Sequence, residues 1–164
     1  MIIRSMRKED WLFVAGIYQQ GLDSNMASFQ TECPPYEAFD ASHLSFCRLV
    51  MQEQDKLIGW TALSLYSSRF VYRGVAELSI YLAQEARGKG LGLGLLEALI
   101  EESEKEGIWT LQAGILSDNS ASVRLHEKAG FRLVGKREQI AQDRTGKWRD
   151  TFLYERRSET VGIK

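Results

Sequence analysis

The sequence has few of the residues from which metal centres, disulfide frameworks and membrane segments are built. It contains two cysteines, Cys33 and Cys47, too few for a disulfide framework and without the CxxC spacing of a zinc site. His43 and His126 are its only histidines, so we expect no metal. No apolar run is long enough to span a membrane, and the first residues lack the apolar segment of a signal peptide. We therefore predict a cytoplasmic location.

The sequence also lacks an excess of charge of either sign. The chain carries 21 Lys and Arg against 22 Asp and Glu, so its net charge of −1 creates no field that would draw it to nucleic acid or to an anionic membrane. Hydrophobic residues make up 44% and charged residues 26% of the 164 residues, as in a soluble globular protein. No linker composition or repeat is visible, and we expect one domain over residues 1–164.

The apolar periodicity predicts a mixed α/β fold with the element order β-α-α-β-β-β-α-β-α-β-β. The predicted strands cover 2–4, 48–52, 57–65, 75–82, 110–115, 132–141 and 148–154, and the predicted helices end near 22, 44, 106 and 129. A strand–helix–strand unit flanked by hairpins implies a mixed, mostly antiparallel central sheet with helices on both faces.

A glycine-rich turn, Arg87-Gly-Lys-Gly-Leu-Gly, lies between the fourth strand and the third helix. A helix start offers unpaired N–H groups and a positive dipole end, and glycine lets a phosphate approach them. The turn matches neither the Rossmann fingerprint, whose third glycine is replaced by Leu93 or Leu95, nor the P-loop, because Lys89 is followed by glycine. A flexible turn without a ligand is the alternative.

The same turn resembles the R/Q-x-x-G-x-G/A signature of the GNAT superfamily of N-acetyltransferases, as does the whole element order. The resemblance implies an acyl-CoA N-acyltransferase fold with acetyl-CoA as cosubstrate. In that fold the strand before the turn splays from its neighbour and pantetheine enters the gap. The implied cofactor-binding residues are Ile80, Tyr81, Leu82, Arg87, Gly88, Lys89, Gly90, Leu91, Gly92, Asn119 and Ser122. The alternative for Asn119 is a helix cap alone.

Three further stretches resemble the phosphinothricin and methionine sulfoximine acetyltransferases. They are Ala27–Pro34, the segment from Arg69 through Tyr72 and Glu77 to Tyr81, and Lys147–Asp150. This branch implies acetylation of a small amino-acid-like amine by direct attack in a ternary complex, and a homodimer. Met26 and Gln30 depart from the pattern and leave the acceptor's side chain open.

The predicted catalytic residues are Glu77 and His126. An ammonium must lose a proton before it attacks a thioester, and Glu77, expected to be partly buried beside the gap, is the candidate base, directly or through water. The resemblance assigns the oxyanion to a backbone N–H of Ile80–Leu82. His126 would protonate the departing thiolate or orient a water. The alternatives are a structural carboxylate paired with an arginine and a packed core histidine.

The predicted substrate-binding residues are Phe29, Arg69, Tyr72 and Arg73. Arginine suits bidentate recognition of a carboxylate or phosphinate, and the two aromatic rings would line the pocket. Solvated arginines and core aromatics are the alternatives. Two other function classes stay open, an acetyltransferase for a peptide or protein amine and a non-catalytic CoA-binding sensor.

Overall fold

The computed structural model describes residues 1–164 and confirms the predicted element order. The strands are β1 (Ile2–Ser5), β2 (Leu49–Glu53), β3 (Lys56–Leu65), β4 (Val75–Leu82), β5 (Thr110–Leu116), β6 (Arg132–Gln142) and β7 (Trp148–Arg157). The α-helices are α1 (Trp11–Asp23), α2 (Tyr36–Ser42), α3 (Leu91–Lys105) and α4 (Ser120–Lys128). None of the helices combines the length and apolarity needed to cross a membrane.

Two helix ends differ from the prediction for local reasons. The first helix begins at Trp11 rather than Lys8, because a 3₁₀ turn precedes it. The Asp10 carboxylate fixes this turn by accepting hydrogen bonds from the Arg7 N–H at 2.7 Å and from the Arg4 guanidinium at 2.8 Å. Helix α2 ends at Ser42, since His43 already has extended backbone angles.

The seven strands form one mixed sheet in the order β1-β2-β3-β4-β5-β7-β6. Only the β4–β5 pair is parallel, and every other neighbouring pair is antiparallel. This confirms the predicted mixed and mostly antiparallel sheet. The parallel pair at its centre is where the sheet opens.

Helices cover both faces of the sheet, and two neighbouring residues of β3 show this. The ring of Trp60 lies 5.1 Å from Tyr18 of α1 and 5.6 Å from Phe39 of α2, measured between centroids. At the next position, a Cβ on Gly59 would lie 3.3 Å from the Leu95 side chain of α3. Successive residues of a strand face opposite sides, so α1 and α2 cover one face and α3 covers the other.

Candidate active site

The two central strands separate after a short parallel ladder. Pairing between β4 and β5 ends at Glu77 and Gln112, so the backbone of β4 from Leu78 to Leu82 has no strand partner on that side. The predicted splay is therefore confirmed. A cavity lies at each end of the opening, and six residues line both of them: Met26, Ala27, Ile80, Tyr81, Asn119 and Ser122.

The first of these cavities, the glycine cavity, encloses about 570 Å³ and is lined by the turn before α3. Gly88 and Gly90 have φ of +74° and +75°, a left-handed conformation that disfavours a side chain. Gly90 is the N-cap of α3, and no side chain caps the helix or places an acid in its first turn. The free N–H groups and the dipole of α3 are therefore available to an anion.

Three cations and no carboxylate line the glycine cavity. They are Arg87, Arg124 and Lys128. Arg87 also donates from Nε to the Leu82 carbonyl oxygen at 3.2 Å. Every predicted residue of the turn lines this cavity except Lys89. Arg124 and Lys128 were not among the predicted residues, although their i,i+4 spacing on α4 places both on one helix face.

The second cavity, the Glu77 cavity, encloses about 520 Å³ on the face of the sheet that α1 and α2 cover. Its carboxylate comes from Glu77, whose Oε2 accepts a hydrogen bond from Gln112 Nε2 at 3.0 Å. The side chain is exposed, so the expectation of partial burial is wrong. No arginine pairs with it, and its partner is the amide of the residue opposite on β5.

His126 lines the same cavity from α4 and is only 2% exposed. Its Nδ1 lies 2.7 Å from the Ser122 carbonyl oxygen. A carbonyl only accepts, so Nδ1 carries the hydrogen and Nε2 presents a lone pair. That buried Nε2 has no partner in the protein. Burial lowers the pKa of His126, and the Ser122 carbonyl raises it by a smaller amount, so the ring is neutral near pH 7.

Of the four predicted substrate-binding residues, only Phe29 lines either of these two cavities. The Arg73 guanidinium packs over the rings of Phe70 and Trp109, at 4.3 and 5.3 Å from their centroids. Arg69 stacks on Tyr72 at 5.6 Å. Because these aromatic contacts occupy the arginines on the loop before β4, the structure does not bring Arg69, Tyr72 or Arg73 into the Glu77 cavity.

The loop after α1 supplies the wall shared by both cavities and is held from two sides. On one side, Asn119 caps α4 by accepting from the Ser122 N–H at 3.2 Å, and it donates to the Met26 carbonyl at 3.0 Å. On the other side, Arg149 of β7 donates to the Asn25 carbonyl at 3.0 Å. Asn119 is thus both a helix cap and a support for the loop. Arg149 was not among the predicted site residues.

Arg149 is buried among acids that fix its direction. It forms ion pairs with Asp143 at 2.9 Å and Asp118 at 2.8 Å. Hydrogen bonds from Thr145, and then the bonds from Arg149, hold the pKa of Asp143 well below its usual range. This network ties the β6–β7 hairpin and the start of α4 to the loop that carries Met26.

Neither cysteine lines the glycine cavity or the Glu77 cavity, and both are protonated near pH 7. Burial raises the pKa of the Cys33 thiol, and burial together with Glu106 and Glu102 raises that of Cys47 to about 12. No group of three or more His, Cys, Asp or Glu side chains is placed to hold a metal ion.

Known proteins resemble this chain in sequence and in fold. The model of the family described as the acetyltransferase (GNAT) family matches residues 10–131. The L-methionine sulfoximine/L-methionine sulfone acetyltransferase of Pseudomonas aeruginosa is 43% identical over 83 residues, 50% of this chain and 48% of the relative. That match therefore spans about half the length of the relative. The L-amino acid N-acyltransferase MnaT of Escherichia coli is 31% identical over 159 residues, 93% of this chain and 92% of the relative.

A solved structure extends the similarity to the whole fold. It is that of a GNAT superfamily phosphinothricin acetyltransferase from Sinorhizobium meliloti in complex with AcCoA. The two folds superpose with a TM-score of 0.84 at 27% sequence identity, over 99% of this chain and 95% of the other. The similarity in fold therefore extends over almost the whole of this chain.

Proposed function

This chain belongs to the acetyltransferase (GNAT) family, and from that premise we propose that it transfers an acetyl group from acetyl-CoA to the amine of a small amino-acid-like compound. The observation that carries the proposal is the opening between β4 and β5, which joins a cationic cavity to one that holds a carboxylate. The thioester of acetyl-CoA would enter this opening from the glycine cavity, and the amine would reach it from the Glu77 cavity.

The glycine cavity fits the nucleotide half of CoA. The pyrophosphate would bind the N–H groups at Gly88, Gly90 and the first turn of α3, and Arg124 and Lys128 would balance its charge. The pantetheine arm would pair with the free backbone edge of Ile80–Leu82 and pass Ser122. Two residues of positive φ and three cations without a carboxylate support this arrangement.

In the Glu77 cavity, Glu77 would accept the proton of the ammonium, directly or through a water, and Gln112 would hold the carboxylate in place. The freed amine would attack the thioester carbon, and the backbone of β4 would stabilise the charge on its oxygen. Both cysteines are protonated and outside the cavities, which supports direct transfer without an acyl-enzyme.

We assign His126 the orientation of a water rather than proton donation. Its buried Nε2 is a lone-pair acceptor without a protein partner, so it can bind a water O–H between α4 and the opening. A donor would need a second ring proton, which burial opposes. The thiolate would then receive its proton from solvent.

A homodimer and a cytoplasmic location stay predictions. Support for the homodimer comes from the edge strand β6, where Leu133, Val134 and Ile140 are 48%, 46% and 49% exposed. Trp148 beside them is 54% exposed. An apolar sheet edge of this kind is typical of a contact with a second chain.

A thiol-release assay with acetyl-CoA tests the function against free amino acids, including phosphinothricin and methionine sulfoximine, with peptides alongside. We expect turnover of free amino acids, and a fall in kcat of about 10²- to 10⁴-fold in Glu77→Gln with CoA binding kept. Glu97→Gln, which changes an exposed acid of α3 outside both cavities, is the matched control. Turnover of peptides alone would replace the small-amine proposal, and CoA binding without any turnover would favour a sensor.

A further inference from the structure

The charged groups of the Glu77 cavity form a balanced pair. Among its 24 lining residues, Glu77 is the only carboxylate and Arg137 is the only lysine or arginine. The two histidines that complete the lining, His43 and His126, are neutral near pH 7, because burial lowers the pKa of each. The cavity therefore offers one negative and one positive group to whatever enters it.

Strand register places these two groups on the same face of the sheet. Glu77 is paired with Gln112 of β5, and Leu116 of β5 is paired with Thr151 of β7, which in turn is paired with Arg137 of β6. Paired residues point to the same side, as do residues an even number apart on one strand. Glu77 and Arg137 thus share the face that α1 and α2 cover, with β5 and β7 between them.

The floor between the two groups is open. Gly114 lies on β5 between Gln112 and Leu116, and a Cβ built on it would meet no atom within 4 Å. Strand β6 lies two strand spacings, about 10 Å, from β5. A small molecule on this floor would therefore have one end at the opening between β4 and β5 and the other within reach of the Arg137 side chain.

Arg137 has no acidic partner of its own, unlike its neighbours on β6. Arg132 pairs with Glu155, and Lys136 Nζ lies 3.2 Å from Asp150 Oδ2. Arg137 makes no salt bridge and no side-chain hydrogen bond within the protein, although it lines the cavity. Its five N–H donors remain available to an anion from outside.

We propose that the Arg137 guanidinium binds the carboxylate of the acceptor, so that the enzyme selects free α-amino acids over amines that lack a neighbouring anion. This inference rests on the proposed acetyl transfer and names its substrate class. Glu77 would face the ammonium and Arg137 the carboxylate, which matches the two charges of a zwitterion. An amino-terminal residue of a peptide carries an amide in place of that carboxylate and would lose the contact.

The test compares methionine sulfoximine, or the amino acid of the panel that turns over fastest, with its primary carboxamide. Each is assayed with wild type, Arg137→Gln, Arg137→Lys and the control Lys136→Gln. We expect Arg137→Gln to lower kcat/KM for the amino acid about 10- to 100-fold, mainly through KM, the range for a lost charge-assisted hydrogen bond. The carboxamide should change less than about two-fold, and Arg137→Lys should keep part of the amino-acid rate.

The ratio of the two substrates in each variant, divided by the ratio in wild type, cancels the different basicity of the two amines. Equal losses for both substrates, or no loss for either, would overturn the role of Arg137 while leaving acetyl transfer intact. A wild-type enzyme that acetylates no free amino acid would overturn the proposed function, and this inference with it. The two failures are therefore distinguishable in one set of assays.

Discussion

Replacing Gly90 with alanine separates the conformational role of the glycine turn from its proposed role in binding CoA. Gly90 has φ +75° and ψ 9°, and a Cβ built on it meets no atom within 4 Å. The cost in the free protein is therefore that of the left-handed backbone alone, about 1–2 kcal/mol. For a chain of this length we expect the melting temperature to fall by about 2–4 °C for each kcal/mol.

The loss of CoA affinity should exceed what this instability explains. The added methyl group would project into the glycine cavity, where it would keep a phosphate from the N–H groups of the turn. Losing one charge-assisted hydrogen bond there weakens binding about 10- to 100-fold. Isothermal titration of the Gly90→Ala variant with CoA at 25 °C measures this loss of affinity directly, because we expect the variant to be folded at that temperature.

Gly94→Ala is the matched control four residues along the same helix. Gly94 also has open space around its Cβ position, but it lies within α3, has no positive φ and lines neither cavity. Alanine should stabilise the helix there by about 0.5–1 kcal/mol and leave CoA affinity unchanged. CoA affinity equal to wild type in Gly90→Ala, or an equal loss in both variants, would refute the proposed role of the turn in binding CoA.

Two further predictions concern the loop support and the buried histidine. Arg149→Gln should loosen the loop that walls both cavities, because the Asn25 carbonyl would lose its hydrogen bond from Arg149. We expect KM for both substrates to rise on the order of 10-fold, and Lys147→Gln is the control. An unchanged KM in initial-rate assays would contradict the support role of Arg149. Burial lowers the pKa of His126, so the unfolded chain binds more protons below about pH 6.5 and stability falls as the pH drops through that value. The urea midpoint should fall less between pH 7.5 and pH 5.5 in His126→Asn than in wild type. Equal falls in the two proteins would contradict this role of His126.

The fold could be predicted from the sequence because each element carries its own periodic signal. The buried stripe of α3, with Leu95, Leu96 and Leu99, and the alternation along β4 depend only on residues close in the chain. Helix ends depend on tertiary contacts, and for this reason the start of α1 predicted at Lys8 is wrong by about one turn. The 3₁₀ turn there is held by Arg4, a residue of the first strand.

The residues of the candidate site also differ in whether they depend on neighbours in the chain or on tertiary contacts. The glycine turn and the Asn119 cap are contiguous motifs, and the structure places both at one cavity. Arg137 reaches its cavity only through the strand pairing β5–β7–β6, in which Thr151 is paired with both Leu116 and Arg137. No recognisable sequence pattern connects these three residues. Arg69 and Arg73 carry the right charge, but their loop directs them onto aromatic rings.

This division has a consequence for specificity. The glycine cavity takes most of its lining from two stretches of the chain, the turn that leads into α3 and helix α4. The Glu77 cavity takes its charged lining from β4 and β6, and further lining from the loop after α1. Only six residues are common to both. Substitutions at Phe29, Arg137 or Ile140 can therefore change the acceptor without altering the turn that would hold CoA. Changes at Asn119 or Met26 should affect both substrates together, because those residues form the shared wall.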